Sequence, residues 1–102
     1  MKLETGSKNR YALTMDTHMG ILTGELTLSQ ESEISVTGSI VVMGKTISFD
    51  TCTYAPDVYS ANFQAMNMTV NMWLSVNPDG SVYGFATAPR HQVMELRGTP
   101  NP

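Results

Sequence analysis

A single cysteine, Cys52, occurs in 102 residues, so an internal disulfide framework is excluded and a reducing compartment is the expectation. Charge is also sparse: Asp, Glu, Lys and Arg make up 15% of the chain, well below the usual quarter. The six basic residues are scattered, which leaves none of the clustered positive footprint that nucleic-acid binding requires. No apolar run approaches the roughly 20 residues of a membrane span. The N-terminal stretch Met1 to Lys8 has no apolar core of a signal peptide. A cytoplasmic chain with neither nucleic-acid nor membrane partners is therefore expected. Helical spacing of apolar residues fits nowhere, and there is no phosphate loop, no G-x-G-x-x-G and no paired metal-ligand spacing.

What the chain does contain is period-two alternation. Tyr11, Leu13 and Met15 alternate with Ala12, Thr14 and Asp16; Leu22, Gly24, Leu26 and Leu28 follow on one face of the next run. The polar stretch Gln30 to Glu33 reads as a turn before Ile34, Val36, Gly38, Ile40 and Val42. Ile47 and Phe49 mark a fourth run, and 52–58 reads as a longer connection holding Pro56-Asp57. Runs over Tyr59–Ala65, Val70–Val76, Ser81–Ala88 and Gln92–Gly98 complete eight. Between the sixth and seventh, Asn77-Pro78-Asp79-Gly80 is a strong turn signal, because proline presets one dihedral and glycine accepts a positive φ. Residues 1–8 are expected as a disordered or loosely attached tail, 9–98 as one β-barrel domain, and 99–102 as a C-terminal tail that cannot continue a ladder.

Met19-Gly20 and Met43-Gly44 lie 24 residues apart, and the same step reaches Asn67-Met68 and then His91-Gln92. Turns at these pairs predict successive hairpins with testable register. The first pairs Tyr11 with Leu28, Leu13 with Leu26 and Met15 with Gly24. The second pairs Ile40 with Ile47 and Gly38 with Phe49. The third pairs Ala65 with Val70, Phe63 with Met72 and Ala61 with Leu74. A three-residue loop at 78–80 pairs Val76 with Val82, Leu74 with Gly84 and Met72 with Ala86. Glycines opposite large residues on the apolar face suit a tightly curved sheet. The fold expected is an all-β, eight-stranded antiparallel up-and-down barrel of calycin or lipocalin type, with a β-sandwich as the alternative. Relative to its turn, the second hairpin's apolar face falls one residue out of step with the first and third.

A meander collects alternate turns at one end, which gathers His18, Met19, Met43, Met66, Met68, Arg90 and His91. Three readings of this rim compete. The methionines plug the barrel mouth; the rim opens onto a site for a small apolar ligand; or thioether and imidazole groups hold Cu(I). No catalytic residue, resident metal or cofactor is expected. Cys52 reads as a small half-buried residue, since no basic group nearby would lower its pKa. On the nominally solvent-facing side, Trp73 falls opposite Phe85 and Ser75 opposite Tyr83. That outer aromatic patch of Trp73, Tyr83 and Phe85 predicts a homo-oligomer contact.

The runs Leu13-Thr-Met-Asp-Thr-His-Met-Gly20, Thr23-Gly-Glu-Leu-Thr-Leu28, Val36-Thr-Gly-Ser-Ile40 and the closing Leu96-Arg-Gly98 resemble a small bacterial all-β domain. Its members carry Asp-Thr-Pro-Met-Gly turns and strand-glycine motifs, and occur alone or appended to flavin-dependent oxidoreductases of the old yellow enzyme type. Here His18 stands in place of the proline, and the third turn lacks its glycine. The resemblance implies an accessory, calycin-like barrel of unestablished function, and it transfers no catalytic residue. The chain as a whole is expected to be a non-enzymatic binding or assembly module.

Overall fold

The computed structural model describes residues 1–55 and 57–101. Among them are nine strands: β1 (Ser7–Thr17), β2 (Gly20–Gln30), β3 (Val36–Val42), β4 (Lys45–Ser48), β5 (Thr51–Ala55), β6 (Val58–Ala65), β7 (Met68–Val76), β8 (Val82–Thr87) and β9 (Met94–Pro100). They form one antiparallel sheet in the order β4-β3-β2-β1-β9-β8-β7-β6-β5. The sheet curls into an open half-barrel whose edges stand 9 Å apart. Paired strands lie about 4.8 Å apart, so those edges share no ladder. This overturns both the closed eight-stranded barrel and the sandwich.

The ninth strand and the opening have one cause. The run expected as a single fourth strand changes partners across one peptide. Phe49 N–H donates to the Gly38 carbonyl on the β3 side at 3.0 Å, whereas Asp50 N–H donates to the Asn62 carbonyl on the β6 side at 2.8 Å. Before this corner the chain belongs to β4, and beyond it to β5. The supposed long connection after Cys52 is therefore mostly strand, with Ala55 facing Val58. Pro56, half of the expected turn pair, lies outside the described residues, as does Pro102. The first and last strands do meet: β1 pairs with β9 from Tyr11↔Pro100 to Asp16↔Glu95. The opening sits in the middle of the chain, away from its ends.

Part of each expected tail joins the sheet. Ser7 and Lys8 belong to β1, and Leu3 N–H donates to the Tyr59 hydroxyl at 2.8 Å. Thr99 and Pro100 extend β9, and Asn101 N–H reaches the Arg10 carbonyl at 2.9 Å. Proline completes a strand here at its last position, where its missing N–H interrupts no further ladder bond.

Two hairpin registers differ from expectation and two agree. Ile40 faces Ile47, and Val76, Leu74 and Met72 face Val82, Gly84 and Ala86. In the first hairpin, however, Tyr11 faces Leu26, Leu13 faces Gly24 and Met15 faces Leu22. In the third, Ala65 faces Met68, Phe63 faces Val70 and Ala61 faces Met72. Each turn begins one residue earlier than expected, at His18-Met19 and at Met66-Asn67. The turns differ in backbone conformation. A two-residue hairpin turn of the favoured kind needs positive φ at both central positions. Met43 and Gly44 meet this at 53° and 77°; Met66 and Asn67 meet it at 51° and 63°, with asparagine standing in for glycine. In the first turn Thr17 Oγ1 accepts from Met19 N–H at 3.2 Å and donates to the Gly20 carbonyl at 2.6 Å. Placed correctly, Met15, Ile40 and Phe63 each lie three residues before their turn and all are buried. The three hairpins are in phase after all; the apparent mismatch came from the two misplaced turns.

The concave face is the core. Leu13, Leu26, Leu28, Ile40, Tyr59, Met72, Leu74 and Leu96 are each at most 1% exposed. Gln30 is the exception on that face: it continues the Leu26, Leu28 alternation and is fully buried. Its amide oxygen accepts from the Tyr59 hydroxyl at 2.7 Å, and its amide nitrogen donates to the Ser32 carbonyl at 2.8 Å. Burial raises the Tyr59 phenol above its ordinary value, so it remains a donor throughout the neutral range.

Close backbone approach demands glycine at Gly24, Gly38 and Gly84, and the last two show why. A Cβ on Gly38 would meet the Thr27 carbonyl at 2.5 Å and the Phe49 ring at 2.8 Å, at the corner where the chain changes partners. A Cβ on Gly84 would overlap the backbone carbonyl of Trp73 on the neighbouring strand. Backbone cannot yield as a side chain can, so Gly84→Ala is expected to destabilise the fold by about 2 kcal/mol or more. Urea unfolding would register this as a lower midpoint at unchanged slope.

Candidate functional site

The rim exists as a place, but it does not gather its residues into one cluster. Met19, Met43 and Met66 occupy three separate turn tips at 86%, 80% and 86% exposure. Methionines this exposed do not plug the end of the half-barrel. Met68 starts β7 and is half-buried, while Arg90 lies in the β8–β9 loop with φ 63° and its side chain exposed. The structure does unite one pair. His18 on the β1–β2 turn and His91 on the β8–β9 loop have ring centroids 5.9 Å apart, tilted at 41°. Adjacency of β1 and β9 causes this meeting. Both rings are exposed, and both backbones are tied down: Thr17 brackets the first turn, and His91 N–H donates to the Ala88 carbonyl at 3.2 Å.

The outer aromatic patch stands where the register put it. Trp73 faces Phe85 and Ser75 faces Tyr83 across β7 and β8. Exposures of 42% for Trp73 and Phe85 and 38% for Tyr83 mark a continuous apolar area on the convex face. The Tyr83 and Phe85 rings meet edge to face at 5.4 Å, a favoured aromatic geometry. Strand β9 adds polar neighbours that the sequence reading did not connect. The Tyr83 hydroxyl donates to Glu95 Oε2 at 3.0 Å, and Arg97 lies over the Tyr83 ring at 5.8 Å while bonding Glu95 Oε1 at 2.7 Å. The carboxylate hydrogen bond, reinforced by Glu95's charge, holds the Tyr83 phenol above its ordinary pKa. Pairing of Tyr83 with Arg97 and of Phe85 with Glu95 builds this group. A register for the last hairpin would have revealed it, but the 88–93 loop carries no turn signature that fixes one.

Three concavities among the described residues are open surface grooves. One runs along the outer face past Thr14, Thr23, Tyr83, Arg97 and Thr99; a second follows the seam past Thr27, Thr37, Ser48, Phe49 and Cys52. The third lies at the end opposite the rim, beside Leu3, Tyr11 and Val76. Across the seam, Phe49 and Phe63 stack at 5.6 Å. No group of three or more His, Cys, Asp or Glu side chains placed to hold a metal occurs among the described residues. No helix among them is long and apolar enough to cross a membrane.

Cys52 lies on β5, half-buried and facing Ala61. Burial pushes its thiol up to about 11. The thiolate is the reactive form, so alkylation by iodoacetamide at pH 8 is expected to be far slower than for an exposed thiol. Denaturing urea should restore the ordinary rate. The folded chain holds this proton more tightly than the unfolded chain, so stability should fall as pH rises from about 9 to about 11. Equilibrium unfolding of wild type and Cys52→Ala across that window would isolate the contribution. Comparison with known proteins found no matching family model, no similar curated protein and no similar solved structure.

Proposed function

We propose that the chain is a non-enzymatic assembly module whose outer β7–β8–β9 face docks on a second copy of itself. The supporting observation is the exposed trio of Trp73, Tyr83 and Phe85 lying side by side on a convex, hydrogen-bonded surface. The filled concave face argues for the outside as the working surface. Large aromatics with few rotatable bonds lose little entropy on docking and dominate contact energetics where they are covered.

The chemistry around the patch favours a second copy. Glu95 and Arg97 lie beside the aromatics and carry opposite charges. A two-fold axis through the patch brings the cation of each copy toward the anion of the other, as self-complementary interfaces require. The resemblance seen in the sequence supplies a setting, an accessory domain working beside a flavin-dependent oxidoreductase, in which self-association would pair the larger proteins.

Sedimentation velocity tests the proposal. Wild type is expected to sediment as a dimer at micromolar concentration, and Trp73→Ser with Phe85→Ser as a monomer with unchanged far-ultraviolet circular dichroism. A wild-type monomer, or a dimer indifferent to both changes, would refute it.

A further inference from the structure

We propose that His18 and His91 form a two-imidazole site for a borderline divalent transition-metal ion, of which Zn2+ is the representative. The assignment is independent of the assembly reading, because it rests on a different end of the half-barrel. Its first support is convergence. The two histidines are 73 positions apart in sequence, yet the β1–β9 ladder brings their rings to a centroid distance of 5.9 Å. They are the chain's two histidines, and both stand at this junction.

Distance supplies the second support. A zinc–nitrogen bond of roughly 2.0–2.1 Å places the centres of two imidazoles on one ion about 4.5–5.2 Å apart for right-angled to tetrahedral ligation. The observed separation exceeds this by about 1 Å, within reach of side-chain rotation for exposed residues. The tilt of 41° shows that the rings are not locked in a parallel stack. Their backbones, by contrast, are held by the Thr17 hydroxyl bonds and by the His91 N–H to Ala88. Fixed backbones with adjustable rings suit metal capture, since little chain entropy remains to be lost.

The donor set decides the class of metal. Neutral imidazole is a borderline ligand that suits zinc, copper and nickel and gives little to magnesium or calcium. Met19 is adjacent in sequence to His18 but stands exposed on its turn, and no structural observation ties its thioether to the pair. The donors that the fold brings together here are the two imidazoles. With no third His, Cys or carboxylate grouped there among the described residues, water completes the coordination. An ion so held keeps open positions.

The test titrates the full chain with Zn2+ while following the imidazole proton resonances, with calorimetry for stoichiometry and affinity. The expected result is one ion per chain, concerted shifts of His18 and His91, and about tenfold or greater weakening in either His18→Gln or His91→Gln, because each removes one arm of a two-point contact. Trp73→Ser should leave the titration unchanged, which separates this site from the assembly face. Three results would overturn the assignment: no zinc-dependent shift, a shift confined to one imidazole, or half an ion per chain with faster sedimentation, which places the metal between copies.

Discussion

Pairing of β1 with β9 is the constraint from which the rest of the molecule follows. These strands come from opposite ends of the chain, and their six-residue ladder is the one connection that turns a set of hairpins into a curled sheet. Closing a contact over that sequence separation costs chain entropy before any contact repays it. Repayment comes from burial. Leu13, Met15 and Leu96 all lie on the concave face beside the ladder and are almost fully covered. Gly98 faces Leu13 within it, where an added Cβ would press against the Val82 side chain at 2.6 Å.

Both candidate surfaces inherit their positions from that pairing. At one end of β1 the His18 turn is set beside the loop carrying His91. On the convex face β9 carries Glu95 and Arg97 between β1 and the aromatics of β8. The two surfaces differ in chemistry. The aromatic patch presents a broad apolar area with one compensated ion pair, whereas the histidine pair presents two imidazoles on adjoining turns.

The opening in the sheet reflects a local competition. At the Phe49–Asp50 corner, Phe49 follows β3 and Asp50 follows β6, so neither edge runs the full height of the half-barrel. Unpaired strand edges invite association with other chains. Here they are short: β4 has four residues and β5 has five. Phe49 and Phe63 cover the seam between them with stacked rings. Short edges and an aromatic cover blunt the template that a long exposed edge would offer.

Alternation of apolar and polar residues determined that the chain is all-β, and it selected nearly every concave-face residue. Turn signals of defined chemistry, such as Pro78-Asp79-Gly80, determined register where they occurred. Leu26, Leu28 and Gln30 share one face by the same alternation, so the buried glutamine was legible in principle despite its polar side chain. Tertiary structure alone decided the rest. Whether a hairpin turn starts at Met66 or Asn67 depends on which residues accept positive φ while both strands keep their apolar faces inward, and Met-Asn and Asn-Met are nearly equivalent in a bare sequence. The partner exchange at Phe49–Asp50 depends on strands β3 and β6, which are distant in sequence from each other. The meeting of His18 with His91 likewise depends on a ladder between the chain's two ends. Local preference acts over a few residues, whereas the partner exchange at Phe49–Asp50 and above all the β1–β9 ladder are set by hydrogen bonds between separate segments of the chain.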